Sequence, residues 1–362
     1  MISIFSKFFL LSALTCTALI IGCGDSTPEK TTRKSNILDT LKCTQSSAKI
    51  AIDGIADSAW TTATAIEVLV NQLPYEPSNG YKGMKKTTVS MKSLRDDKNI
   101  YFLLQYKDPT KSLERFPWIK QKDGSWKHQK ALDSTGHDNT YYEDKVAFLW
   151  DINTAGFEKK GCDMSCHMSE DGMVEGIPDT SAGRKYTRPG EYLDIWHWKS
   201  VRTNAVYQLD DQYVDWQKAE GGKAWGRHSD NKTAGGYVDN MNETKTGPAF
   251  MNSAPTADNQ YYVIDKDKVP FKDTYQAGQV LPGIVISKFE GPRGDISAHG
   301  KWKNGVWTLE IKRALTTEGE GSEKHDIQFS DLNKPYFFGI SIFDNSQINH
   351  IYHKKTLQLI FI

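Results

Sequence analysis

The sequence carries no surplus of either charge, with 45 Lys and Arg against 45 Asp and Glu. A polyanion such as nucleic acid would meet no basic field, and steering of any partner by the whole molecule is weak. Cysteine is scarce, five in 362 residues. Only Cys162 and Cys166 lie close together beyond the leader, so a tetrahedral zinc centre lacks the second cysteine pair that would complete it. Sustained helical periodicity is rare, which argues against a helical bundle. A nucleophile elbow, a phosphate loop and a second cofactor motif are all missing, and no activity of the chain's own is expected.

What is present begins with a leader. Lys7 precedes Phe8-Phe9-Leu10-Leu11 and an apolar stretch to Ile21. That run is short of the ~20 residues needed to span a bilayer and suits a secretory h-region. Ile20-Ile21-Gly22-Cys23 resembles a bacterial lipobox, so residues 1–22 are expected to be removed and Cys23 to be lipidated. Several acyl chains, at ~0.8 kcal/mol per buried methylene, anchor a protein stably. The expected location is the bacterial cell envelope, lipid-anchored and facing the periplasm. Cys16 leaves with the leader, so Cys43, Cys162 and Cys166 remain as an odd set.

Residues 23–46 are polar and include Ser26-Thr27-Pro28, which reads as a flexible tether. Order is expected from about Ser47, with residues 47–362 as one domain. Aromatic residues make up 11% of the chain, Val89 to Leu94 and Asp194 to Lys199 alternate, and Ile100 to Tyr106 and the buried run Lys145 to Trp150 also read as strands. Asp96-Asp97-Lys98-Asn99 and Asn304-Gly305 are hairpin turns by their chemistry. Residues 110–140 and 219–258 show no period and read as inserted loops. The fold class is therefore all-β, an antiparallel β-sandwich with long loop insertions.

The chemistry concentrates in Gly161-Cys162-Asp163-Met164-Ser165-Cys166-His167. Two thiols followed directly by an imidazole are what covalent haem attachment requires, although three residues separate the cysteines where two are usual. The same spacing admits a Cys162–Cys166 disulfide in an oxidising compartment, or a metal site. In the strand Asp194-Ile195-Trp196-His197-Trp198-Lys199, His197 lies on the face opposite Trp196 and Trp198. Asp194 and Asp295 stand at strand starts, suited to a cation, to pairing with a group such as Arg293, or to plain turn chemistry.

Six segments in order, Asp53-Gly54 with Trp60, Tyr142-Glu143-Asp144-Lys145-Val146, Asp194 to Lys199, Gly294-Asp295-Ile296, Gly305-Val306-Trp307 and Phe343-Asp344-Asn345, carry a resemblance. They resemble the haem-binding domain of the ethylbenzene dehydrogenase and dimethylsulfide dehydrogenase γ-subunits and their cytochrome c-type relatives. The resemblance implies a β-sandwich holding one haem and passing electrons between redox partner proteins. In b-type members a methionine and a lysine are the axial ligands. Here Cys162, Cys166 and His167 stand upstream and His350, His353, Lys354 and Lys355 lie in the closing strands, which points toward a covalent c-type haem with a b-type haem as the other form. His167 is then the proximal iron ligand and His350 the favoured sixth ligand, followed by His353 and His197. Trp196, Trp198 and Trp307 would pack on the porphyrin or simply fill the core.

Two functions follow as expectations. One is a membrane-anchored haem protein that relays electrons. The other is a carbohydrate-binding surface lipoprotein stapled by Cys162 and Cys166, because Ile52-Asp53-Gly54, Asp57 and Trp60 also resemble carbohydrate-binding sandwiches in which aromatic side chains stack on sugar rings.

Overall fold

The computed structural model describes residues 39–74, 81–134, 136–165, 185–218 and 225–362. The leader, Cys23, Cys166 and His167 lie outside the described residues.

Thirteen strands form the main sheet. The first eight are β1 (Asp39–Gln45), β2 (Ile66–Val70), β3 (Thr87–Arg95), β4 (Asn99–Lys107), β5 (Lys145–Asp151), β6 (Leu193–Lys199), β7 (Asp210–Lys218) and β8 (Trp225–Ser229). The other five are β9 (Ser297–Lys303), β10 (Val306–Ala314), β11 (Tyr336–Phe343), β12 (Ile351–Tyr352) and β13 (Leu357–Phe361). Their spatial order is β8-β7-β6-β5-β11-β13-β1-β3-β4-β10-β9, with β2 on β3 and β12 on β11. The pairings are antiparallel except at β1, which runs parallel to both β13 and β3.

That interior position for β1 corrects the expected tether. Ordered chain starts by Asp39 rather than near Ser47, with Leu41 and Cys43 fully buried. Two apolar residues among Lys42, Thr44 and Gln45 are too short a pattern to read locally. The strand exists because β13 and β3 offer their edges on either side of it.

The two expected hairpins form. Asp96 accepts from the backbone N–H of Lys98 at 2.7 Å and of Asn99 at 2.6 Å, closing the turn between β3 and β4. Between β9 and β10, Asn304 and Gly305 both take positive φ, 53° and 78°, the backbone that a two-residue turn of matching twist demands. The two long insertions carry short structure of their own. Trp118–Lys120 pairs with Trp126–His128 and with Val280–Leu281, and Tyr237–Asp239 pairs with Ile284–Ile286. Segments of two or three residues are below the length at which alternation registers.

The sheet closes over an aromatic core. Phe102 of β4 meets Phe148 of β5 at 5.9 Å between ring centroids and Trp196 of β6 at 5.7 Å, and Trp198 meets Trp307 of β10 edge-on at 5.0 Å. Such pairs add ~0.5–1.5 kcal/mol each beyond the area they bury. Trp196 and Trp198 thus belong to the interior between the halves of the sheet, and their expected place at a cofactor is corrected accordingly.

Candidate functional site

The opposite face of the same strands carries a cavity. Ala147 and Leu149 of β5, Ile195 and His197 of β6, and Gly339 and Ser341 of β11 form its floor, because period two sends these side chains away from the tryptophans. Cys162 enters from the turn after the short helix Phe157–Lys160. Its sulfur sits where a Cβ on Gly339 would lie only 2.3 Å away, so the glycine is what admits it. His350 closes the cavity from the segment before β12, and Lys185 and Arg227 border it.

His197, Phe343 and His350 form a row, with centroids 5.5 Å and 4.7 Å apart. Burial, then Lys199 and Lys145, push the His197 imidazole well below its usual range, so it is neutral at physiological pH. Its Nε2 has no hydrogen-bond partner among the described residues. The His350 Nδ1 lies 2.7 Å from the carbonyl of Ile348. His353 is turned elsewhere, its Nδ1 2.7 Å from the Leu69 carbonyl and its Nε2 3.5 Å from Asp39. Of the expected ligands the fold therefore brings Cys162, His197 and His350 together and leaves His353 out. The cavity measures about 100 Å³, against ~300–1,000 Å³ for ordinary ligand pockets.

A second depression, of about 440 Å³, lies where the connection after β6 meets β9. Tyr207 follows the turn Asn204–Val206 with φ of 59°, which swings its ring out to 48% exposure. The ring stacks on His299 of β9 at 4.1 Å and 8°. Asn204 fixes the pair in place: its Oδ1 accepts from the Gly300 N–H at 2.7 Å, its Nδ2 donates to the Gly300 carbonyl at 3.0 Å, and its own carbonyl lies 3.1 Å from His299 Nδ1. Tyr261 and Tyr262 face it from a loop held by Asn252, whose Nδ2 donates to the carbonyls of Asn259 and Tyr262 at 3.0 and 2.8 Å. Lys111, Asp258, Lys301 and Trp302 complete the rim. Burial and Lys301 lower the His299 pKa, so a neutral ring backs the tyrosine.

A family model described as ethylbenzene dehydrogenase matches residues 57–355. The chain belongs to that family. Segments far apart in this ethylbenzene dehydrogenase family chain meet in its buried polar network. Asp144 Oδ2 accepts from Ser112 N–H at 2.8 Å and from the Trp307 indole at 3.2 Å, and Oδ1 accepts from Asn345 N–H at 3.0 Å. Glu143 takes the backbone N–H groups of Val201 and Arg202 and pairs with the Arg202 guanidinium. Glu310 accepts from Asp53 and Gly54 N–H and, at 2.8 Å, from the Trp60 indole. Trp60 is buried, so the Asp-Gly and Trp pattern anchors β10 and presents no ring to a sugar.

No curated protein sequence matches the chain. Among solved structures, a family 9 carbohydrate-binding module from Caldicellulosiruptor kristjanssonii in complex with cellotriose is similar at 11% identity, over 90% of this chain and 95% of that one, with a TM-score of 0.33. A Bacteroides uniformis protein described as carbohydrate-binding is similar at 9% identity, over 89% and 99%, with a TM-score of 0.36. These similar structures are described as carbohydrate-binding and not as cytochromes, the finding that stands against the expected haem electron relay.

Sequence reasoning missed Tyr207, His299, Tyr261 and Tyr262. The Tyr261-Tyr262 doublet in a stretch rich in Asn, Ser and Asp was the available signal. Tyr207 offered none, since its exposure depends on a left-handed backbone set by the turn before it.

Proposed function

We propose that this chain is a non-catalytic binding module that takes a saccharide in the depression between Tyr207 and the Tyr261-Tyr262 loop. The observation that carries the reading is the Tyr207–His299 stack, an exposed flat ring backed by a second ring and rimmed by Asp258, Lys111 and Lys301. Sugar rings present C–H faces to an aromatic plane and hydroxyls to polar side chains around it, and this depression offers both. The lipobox at Cys23 makes it a tethered module of the cell envelope, with the membrane as its fixed neighbour.

Binding of the full mature chain to soluble polysaccharides, followed by affinity electrophoresis and calorimetry, tests the proposal. Tyr207→Ala is expected to weaken binding about tenfold, the equivalent of ~1.4 kcal/mol, and to leave Tm within about 2 °C. A panel of plant, bacterial and algal glycans giving no retardation overturns it. So does a binder whose affinity is unchanged by Tyr207→Ala. The likeness to γ-subunit haem domains makes the visible spectrum of the same preparation informative as well. A Soret band with haem retained through acid-acetone extraction would place the ligand at Cys162, Cys166, His167 and His350 and displace the saccharide reading.

A further inference from the structure

A second feature is a group of acidic side chains apart from the residues that line the depression. Asp211 of β7, Asp295 before β9 and Asp326 after the short helix Ser322–His325 each bring a carboxylate oxygen within 4.8 Å of the others. Asp211 is fully buried and Asp326 is 1% exposed, while Asp295 opens to solvent. Asp230, 5% exposed, faces Asp194 and Asp295 and comes within hydrogen-bonding reach of the Asp326 carboxylate, and no N–H or hydroxyl donor meets either of its oxygens among the described residues.

The bonding of the others is one-sided. Asp194 Oδ2 accepts from the Trp196 indole and from Ile327 N–H, both at 2.9 Å, and its Oδ1 has no partner. Asp211 Oδ1 accepts from Gln212 N–H at 3.0 Å and leaves Oδ2 bare. Asp326 Oδ2 takes the Thr317 hydroxyl and leaves Oδ1 bare. Against this acidic set stands the Arg313 guanidinium, 3.9 Å from Asp194 and 3.6 Å from Asp326. One arginine does not neutralise five carboxylates, and a buried ion without partners costs several kcal/mol.

We propose that Asp211, Asp230, Asp295 and Asp326, with Asp194 beside them, bind one calcium ion. Oxygen ligands at 2.3–2.6 Å from a common centre lie at most ~5 Å from one another, a limit that Asp211, Asp295 and Asp326 satisfy at 4.8 Å. The carboxylates come from separate segments of the chain, which suits calcium's 6–8 flexible ligands better than magnesium's strict six. Nitrogen and sulfur ligands are absent from the set, which disfavours zinc. Exposed Asp295 supplies the entry from solvent.

The test uses the full mature chain purified with calcium and then dialysed. Elemental analysis is expected to find about one calcium per chain, and terbium added to chelator-treated protein is expected to luminesce on tryptophan excitation, since the Trp196 indole touches Asp194. Calcium should compete that emission away. Asp230→Asn and Asp211→Asn should each weaken terbium binding at least tenfold, and Asp144→Asn, in the other acidic group, should leave it unchanged. Should a variant fail to fold, the wild-type terbium titration decides alone. Protein with no calcium, no sensitised terbium emission and the same Tm with and without chelator overturns the proposal.

Discussion

Two groups of aspartates share one composition and behave differently. Asp108, Asp144 and Asp344 converge at one end of the sheet, and Asp211, Asp295 and Asp326 with Asp194 and Asp230 at another. In the first group the protein itself supplies donors. Ser112, Asn345 and Met84 give backbone N–H, Trp307 gives its indole, and Thr110 gives both its N–H and its hydroxyl. Among the described residues only Asp108 Oδ2 of that group is left without one. In the second group Asp194, Asp211, Asp230 and Asp326 each turn at least one bare oxygen inward. Clustered acids form a structural joint where donors meet nearly every oxygen, and they suit the cation proposed above where each of these four carboxylates keeps a bare one.

The largest expected effect breaks the joint. Asp144→Ala strips the acceptor from one buried and two half-buried donors, each worth up to ~1–3 kcal/mol when unsatisfied. Thermal unfolding should fall by roughly 10 °C, at 2–4 °C per kcal/mol for a domain of this size, while bound calcium stays the same. Next comes the second group. Chelation should lower the wild-type Tm by several degrees, because a cation held at a hundred times its Kd contributes ~2.7 kcal/mol, and should leave the Tm of Asp211→Asn where it was. Equal responses in both proteins would erase the distinction between the groups.

A smaller effect is in pH. Burial, then Asp344, raise the Asp108 pKa from 3.8 to about 7. Its folded form holds a proton more tightly than the unfolded chain does, so the stabilisation is complete below pH about 4 and fades as pH rises toward 7. Asp108→Asn should therefore show a flatter plot of Tm against pH over that window than wild type, and an unchanged slope would remove Asp108 from the account. The least effect belongs to Thr110→Ala. Its hydroxyl bridges Asp108 at 3.2 Å and Asp344 at 3.1 Å, and losing it should cost ~0.5–1.5 kcal/mol by denaturant titration.

Alternation, turn chemistry and aromatic content determined the sandwich from the sequence by itself, down to the Asn304-Gly305 hairpin and the opposed faces of Trp196 and His197. These are properties of neighbours a few residues apart, and φ preference and period two act at that range. The family segments were legible too, and the short patterns in order pointed to the ethylbenzene dehydrogenase family that matches residues 57–355. What each segment does was decided only by tertiary structure. Trp60 became a donor to Glu310 in place of a sugar platform, and His353 turned to Leu69. β1 formed from a stretch with the look of a tether because two strand edges were waiting for it. Tyr207 was brought onto His299, 92 positions on, and Asp211 onto Asp326, 115 positions on, by sheet order alone. A side chain's exposure and its unpaired oxygens depend on partners that strand pairing delivers from far along the chain, and local sequence carries no record of which partners arrive.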